Sequence, residues 1–188
     1  PAAPPLSERG HWQAQRLARW LAGDRIDAVV ASPLRRARET AAPLAERLRL
    51  DVEIEPGVRE LDADSAVYVP LEELKQQDYA AWRHAVRGGL YAGIDAAAFQ
   101  RGVVDALERV IAKHPGGRVA VVCHGGVINA WAAHLLRIDD LLFLDAQYTS
   151  VSRFLAASSG ERSVASLNET AHLRTDALGE LAAGGGAR

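Results

Sequence analysis

The sequence predicts an α/β fold: a three-layer α/β/α domain with a mostly parallel central sheet and a small helical cap. Short β-branched apolar runs alternate with longer segments of helical periodicity, and such alternation favours parallel strands covered by helices on both faces. The chain has 188 residues, 48% of them hydrophobic and 24% charged, which suits one domain with a sizeable core. Residues 1–180 are predicted to form this single domain, and residues 181–188 a disordered tail.

A helix and a strand are predicted first. Ser7 is a suitable N-cap, and apolar residues then recur at three- and four-residue spacings as far as Leu21, before Gly23 ends the segment. Residues 26–31 form a short run rich in β-branched residues, which favours a strand. The alternation that predicts the fold class is therefore present within the first 31 residues.

A second helix and a second strand follow. Ser32 and Pro33 suit the N-cap and the first helical position of a helix that is predicted to reach about Leu48. Residues 51–55 alternate between polar and apolar side chains, which is typical of an exposed edge strand. The periodicity is poor over residues 62–92, and we predict that this stretch is a cap insertion.

The second half of the chain contains the most apolar strand pattern. Residues 95–113 form a strong helical segment with apolar residues at four-residue steps. The uninterrupted apolar run 119–123 is typical of a strand buried on both faces, so it is predicted to be central in the sheet. A helix over 127–136 follows. Residues 148–155 and 162–167 are predicted to pair as a hairpin.

Charge and composition exclude several classes of protein. The chain has 22 Lys and Arg residues against 24 Asp and Glu residues, and the formal charge of −2 argues against a general nucleic-acid or membrane-surface binder. Its one cysteine, Cys123, cannot form an internal disulfide. No run approaches the roughly 18 apolar residues needed to cross a bilayer. A soluble cytoplasmic protein is therefore expected.

Three segments carry residues suited to the chemistry of anions. Arg36 falls in the first turn of a predicted helix, where a cation opposes the helix dipole unless a bound anion accompanies it. His124 follows the apolar strand, and Gly125 and Gly126 after it allow backbone amides to approach a phosphate or oxyanion. Glu60 lies among apolar neighbours, where partial desolvation would raise the pKa of its carboxyl, as a general acid requires.

Each of these residues also has a purely structural interpretation. The arginine could extend into solvent, the histidine could be hydrogen-bonded at the sheet edge with the glycines serving only the turn, and the glutamate could be an ordinary surface carboxylate. Cys123 is predicted to pack rather than to act as a nucleophile, because strand alternation turns it away from the side that bears His124.

Taken together, the segments resemble the histidine phosphatase superfamily, which has the phosphoglycerate mutase-like fold. The resemblance spans nearly the whole chain and ends on a sequence similar to that of many bacterial members. Its motifs in chain order are Leu6-Ser7-Glu8-Arg9-Gly10, Ser32-Pro33-Leu34-Arg35-Arg36-Ala37, Arg59-Glu60, Val122-Cys123-His124-Gly125-Gly126 and Leu167-Asn168-Glu169-Thr170-Ala171-His172-Leu173.

The resemblance implies a phosphomonoester hydrolase that acts through a phosphohistidine, without a metal or an organic cofactor. Arg36 would grip the phosphoryl group, with the amide of Gly125 nearby, and His124 would stabilise the group during transfer. Glu60 would protonate the leaving oxygen. The positive potential of the site is then expected at Arg36 and His124. The expected partner is a small phosphorylated metabolite, with no nucleic acid or membrane, and a homodimer is an open alternative to a monomer.

The chain departs from the family pattern at the nucleophile. The family carries an Arg-His-Gly motif on a first strand that precedes the Leu6 motif, and we expect this strand upstream of Pro1. The only Arg-His pair, at Arg83-His84, lies in the predicted cap and is rejected as that motif. The short stretch between Glu60 and His124 favours a phosphatase. A mutase that returns the phosphoryl group, and a degenerate phosphate-ligand-binding protein, stay open as alternatives.

Overall fold

Three parallel strands form the central sheet. They are β1 (Ala28–Ala31), β2 (Val52–Ile54) and β3 (Val119–Val122), in the order β2-β1-β3. Their positions agree with the three segments that predict strands, at 26–31, 51–55 and 119–123. This computed structural model describes residues 4–61, 63, 77–80, 95–141 and 143–174.

The middle position among these strands belongs to β1. All four residues of β1 are buried, whereas those of β3 are half-buried. The prediction that β3 is central is therefore not met among the described strands. The reason is that β3 has helices against both faces but pairs with only one described strand, so its apolar composition reflects packing above and below the sheet rather than pairing at both edges.

Helices cover both faces of the sheet. On one face lie α1 (Glu8–Leu21) and α2 (Arg35–Leu48), and on the other lie α3 (Ala96–Lys113) and α4 (Gly125–Leu136). This arrangement confirms the three-layer α/β/α architecture and the mostly parallel sheet.

The core consists of two hydrophobic clusters separated by the sheet. The first surrounds Leu17, Val29 and Leu44, where α1 and α2 pack on β1. The second surrounds Val103 and Val127, where α3 meets α4. Along β3 alternate residues join one cluster or the other, as the twofold period of a strand requires. The two clusters therefore hold the sheet rigidly between the helical layers.

The helix starts agree with the sequence at two positions. The Ser7 side chain caps α1 by accepting a hydrogen bond of 3.1 Å from the amide of Gly10. The Asp95 carboxylate caps α3 in the same way, at 2.8 Å from the amide of Ala98. Both residues satisfy amides that have no partner inside the helix.

The other two helix starts differ from the prediction. α2 begins at Arg35, with Leu34 rather than Ser32 at the N-cap, and the Ser32 hydroxyl lies against His124 while it accepts from the amide of Leu34. α4 begins at Gly125, two residues earlier than predicted, with His124 at the N-cap. Both differences occur where a strand passes into a helix.

A hairpin completes the described chain. β4 (Val151–Ala156) and β5 (Arg162–Glu169) pair antiparallel as predicted, in a separate two-stranded sheet. Arg153 of β4 reaches Asp24 beyond α1 at 2.9 Å and lies over the Trp20 ring at 5.5 Å.

The segment after the hairpin also docks on α1. The ring of His172 stacks on Trp20 with centroids 5.0 Å apart, and Arg16 donates to the His172 carbonyl at 2.7 Å. Together with the Arg153 contacts, these interactions form what we call the C-terminal clamp. The clamp joins the last described residues to the first helix.

Two predicted regions lie outside the described residues. They are most of the cap insertion at 62–92, including His84, and the tail at 181–188. Within the described ranges no helix is long and apolar enough to cross a membrane.

The junction between the 3-10 helix Pro56–Val58 and α3 predicts a difference between two glycine substitutions. A Cβ at Gly57 would lie 2.5 Å from that of Ala106, so Gly57→Ala is expected to lower the free energy of unfolding by about 1 to 3 kcal/mol through overpacking. Gly102 on α3 has open space around it, and Gly102→Ala is expected to raise stability by about 0.5 to 1 kcal/mol. Urea unfolding measures both, and equal stability of the two variants would contradict this packing.

Candidate active site

The candidate site forms at the carboxyl ends of β1 and β3. Parallel strands end at the same edge of a sheet, and open α/β sheets bind ligands there. Ser32 follows β1, and its amide donates to the Val122 carbonyl at 2.9 Å, which extends the ladder between the two strands. The Ser32 hydroxyl then lies 2.8 Å from Nε2 of His124, the second residue after β3.

His124 is a buried histidine at the start of α4. Only 8% of its surface is exposed. Burial, and secondly the charge of Arg36, lowers the pKa of His124 from 6.5 to about 3. The imidazole is therefore neutral at neutral pH in the ligand-free protein. This corrects the expectation that His124 contributes positive potential, because desolvation and a neighbouring cation both disfavour the imidazolium.

Arg36 and its neighbour Arg35 differ although both stand in the first turn of α2. Arg35 is exposed and pairs with Glu39 at 2.7 Å, which is an ordinary surface ion pair one turn along the helix. Arg36 is half-buried, and its charge acts on His124. The interpretation that Arg36 simply extends into solvent is therefore not supported, and the structure brings this guanidinium to the His124 end of the sheet.

The Glu60 carboxylate lies against the start of α4. Its Oε1 accepts a hydrogen bond from the amide of Leu61 at 2.9 Å, and its Oε2 accepts one from the amide of Gly126 at 3.4 Å. Glu60 is half-buried. A Cβ on Gly126 would overlap Oε1 of Glu60, so glycine is needed at this position for the carboxylate to stay where it is. The structure thus brings the predicted segment that contains Glu60 into contact with the predicted segment 124–126.

The first turn of α4 is held in place by Asn129. This side chain is 2% exposed and donates to the carbonyls of Gly125 at 3.0 Å and of Leu144 at 2.8 Å. Its Oδ1 accepts from the amide of Leu144 at 2.9 Å. The Asn129 side chain therefore connects the first turn of α4, which contains Gly125, to the backbone of Leu144. Sequence reasoning missed Asn129 because an asparagine inside an apolar helix carries no signal of its tertiary partner.

Cys123 packs into the second hydrophobic cluster, as predicted. Burial raises the pKa of its thiol to about 12, and the charge of Glu60 adds to the shift. The thiol is therefore protonated at neutral pH, which disfavours it as a nucleophile.

Ser32 is the other residue that sequence reasoning missed. Its position before Pro33 suggested only a helix cap, whereas its hydroxyl accepts from the local amide of Leu34 and also contacts His124. A polar residue directly after a buried strand was the available signal, because the ends of adjacent parallel strands meet.

In the described parts of the chain, no group of three or more His, Cys, Asp or Glu side chains is placed to hold a metal ion.

Comparison with known proteins gives a consistent result. Residues 2–170 match the profile of the histidine phosphatase superfamily (branch 1). Phosphoserine phosphatase 1 of Hydrogenobacter thermophilus is 31% identical over 177 residues, which are 90% of this chain and 83% of that protein. Glucosyl-3-phosphoglycerate phosphatase of Mycobacterium tuberculosis is 33% identical over 144 residues, which are 71% of this chain and 65% of that protein.

Solved structures share the fold. YhfR of Bacillus stearothermophilus superposes with a TM-score of 0.76 at 25% identity, over 92% of this chain and 88% of its own. This likeness confirms the α/β fold with a phosphoglycerate mutase-like arrangement.

The buried histidine predicts a pH dependence of stability. The unfolded chain protonates His124 near pH 6.5 and the folded protein only near pH 3, so lowering the pH from 7.5 to 5.0 favours unfolding. His124 alone is expected to contribute about 2 kcal/mol to this loss. Carboxylates with lowered pKa values, such as Glu108, add their losses at lower pH. Burial also lowers the pKa of His172, which adds a loss of the same sign.

Urea unfolding at pH 7.5 and 5.0 measures this dependence. His124→Gln is expected to reduce the difference between the two pH values by about 2 kcal/mol. His11→Gln is the control, since His11 is exposed on α1. The same pH dependence in the wild type and in His124→Gln would contradict a neutral buried histidine.

Proposed function

The chain belongs to the histidine phosphatase superfamily, branch 1, and from this premise we propose that it is a phosphomonoester hydrolase acting through a phosphohistidine. One observation supports the proposal beyond the family: the charge of Arg36 acts on His124, and the amide of Gly126, two residues after His124, donates to Glu60 at the carboxyl end of β3. The names of the relatives, phosphoserine phosphatase and glucosyl-3-phosphoglycerate phosphatase, support a small phosphomonoester as substrate.

The phosphoryl group would be bound by donors of three kinds. Arg36 supplies a permanent charge and a planar fork of N–H groups that suits phosphate oxygens. The amide of Gly125, in the first turn of α4, supplies a backbone donor at the positive end of a helix. His124 supplies one ring N–H, because it is neutral before the substrate arrives. The positive charge that was expected at both Arg36 and His124 is therefore supplied mainly by Arg36.

The proposed reaction has two transfers. A histidine nitrogen attacks phosphorus, and the bond from phosphorus to the leaving oxygen breaks while Glu60 donates its proton to that oxygen. Water then attacks the phosphohistidine, Glu60 takes a proton from the water, and the bond from phosphorus to nitrogen breaks to release inorganic phosphate. Glu60 ends in its starting state, so the cycle is balanced.

The nucleophilic histidine is proposed to lie on a strand upstream of Pro1. Support comes from β3, whose second edge has no partner strand within the described residues. A further parallel strand at that edge would end beside His124, since the carboxyl ends of parallel neighbours coincide. His124 itself is a poor candidate for the nucleophile, because its Nε2 is already hydrogen-bonded to Ser32.

Phosphate release and phosphate binding test the proposal in the full-length gene product. The wild type is expected to release inorganic phosphate from an aryl phosphate, and His124→Ala to lower kcat at least about 100-fold through loss of a transition-state donor. Arg36→Ala is expected to weaken binding of vanadate about 10- to 100-fold, which corresponds to one charge-assisted contact. Arg35→Ala is the matched control, because the exposed Arg35 pairs with Glu39.

Other results would point to other functions. Binding of phosphate without release from any phosphomonoester would contradict hydrolysis and favour a degenerate binding protein. A phosphorylated isomer of the substrate in place of inorganic phosphate would favour a mutase. Near-wild-type turnover in His124→Ala would remove His124 from the mechanism.

The role of Glu60 predicts a dependence on the leaving group. Glu60→Gln is expected to lower kcat for alkyl phosphates at least about 10-fold more than for aryl phosphates, whose leaving oxygens need less protonation. Gly126→Ala is expected to give the same selectivity, because its methyl group would displace the carboxylate. Gly102→Ala, in open space on α3, serves as the control. Equal losses on both substrate classes would contradict Glu60 as the acid.

A further inference from the structure

Ser32 makes the closest polar contact of the buried histidine. The residue is fully buried, with 0% exposure, and its backbone is fixed by the bond to the Val122 carbonyl. Its hydroxyl oxygen lies 2.8 Å from Nε2 of His124. The contact joins residues 92 positions apart in the chain. Ser32 directly follows β1, and His124 occupies the N-cap position of α4, so both residues are placed by regular elements of the fold.

The direction of this hydrogen bond follows from counting protons. A hydroxyl has one proton and two lone pairs, and a neutral imidazole has one N–H and one acceptor nitrogen. The Ser32 oxygen already accepts from the amide of Leu34 at 3.3 Å. If Nε2 of His124 also donated to this oxygen, the hydroxyl proton would need a third partner. No acceptor for it is found among the described residues.

The opposite direction pairs the hydroxyl completely and leaves fewer groups without a partner. The Ser32 oxygen accepts from Leu34, and its proton goes to Nε2 of His124. The ring proton of His124 is then on Nδ1. An unpaired polar group in a buried site costs about 1 to 3 kcal/mol, so the arrangement that pairs the buried hydroxyl proton, and leaves only the Nδ1–H of His124 for a further partner, is preferred.

We propose that Ser32 is a positioning residue, whose hydroxyl donates to Nε2 of His124 and so fixes the Nδ1–H tautomer as the donor to the transferred phosphoryl group. This inference rests on the proposed function for its consequence in catalysis. A neutral histidine has one proton to offer, and the other tautomer would present a lone pair to an anion instead. The Ser32 hydroxyl therefore decides whether His124 attracts or repels the phosphoryl oxygens.

Nitrogen NMR of the full-length protein tests the tautomer directly. Long-range proton–nitrogen correlation at pH 7 is expected to give His124 a protonated Nδ1 and an unprotonated Nε2, with the signal assigned by its loss in His124→Gln. In Ser32→Ala the Nδ1–H population is expected to fall, and in Ser32→Thr, which keeps a hydroxyl, to be retained. Ser150→Ala is the matched control, since the Ser150 hydroxyl is buried without a hydrogen-bond partner in the described structure.

Kinetics give the second measurement. Ser32→Ala is expected to lower kcat about 10- to 100-fold with a smaller change in KM, and Ser32→Thr to recover most of the loss. A protonated Nε2 in the wild type, or an unchanged His124 spectrum in Ser32→Ala, would overturn the proposal. If Ser32→Ala does not fold, the wild-type spectrum still tests the proposal, because it shows which ring nitrogen of His124 is protonated. Failure of the proposed function would give a different result. The protein would then release no phosphate, while the Nδ1–H tautomer of His124 would still be observed.

Discussion

The parallel pairing of β1 with β3 is the constraint on which the candidate site depends. Ala31 lies opposite Val122 in this register, so the chain leaves both strands at the same level of the sheet. Ser32, the first residue after β1, and His124, the second residue after β3, are thereby brought within hydrogen-bonding distance. A slip of one residue would turn alternate side chains to the opposite face of the sheet and separate the pair. The two hydrophobic clusters resist such a slip because they bury opposite faces of the same strands.

Burial determines both the orientation and the charge state of His124. The packing that orients His124 also removes its charge, because a cation inside apolar surroundings loses the solvation of water. The site therefore relies on groups that keep their polarity when buried: a guanidinium, backbone amides and a hydroxyl. Glu60 accepts a hydrogen bond from the amide of Gly126, in the same turn whose Gly125 amide the proposal assigns to phosphate binding, so the acid contacts the segment that supplies the oxyanion donor.

The sequence predicts the alternation of elements, the Ser7 cap of α1 and the hairpin, because these depend on local pattern and on rules of parallel sheets. The position of β1 between its neighbours could not be predicted, since strand order depends on pairing partners and not on apolar content alone. The role of Ser32 was missed for a related reason. The local pattern before Pro33 suits a helix cap, and only the approach of β3 provides the competing partner. The neutral state of His124 likewise arises from tertiary burial that no single segment encodes.

The C-terminal clamp has a consequence for the order of events during synthesis. Asp24 is separated from Arg153 by 129 residues, so α1 leaves the ribosome long before the residues that pack on its outer face. At about 5 to 20 residues per second, this interval is roughly 6 to 26 s. In that time the Trp20 ring has neither His172 nor Arg153 against it, and the nascent chain exposes an aromatic surface that the finished protein covers. α1 is thus made well before the contacts that complete its outer surface.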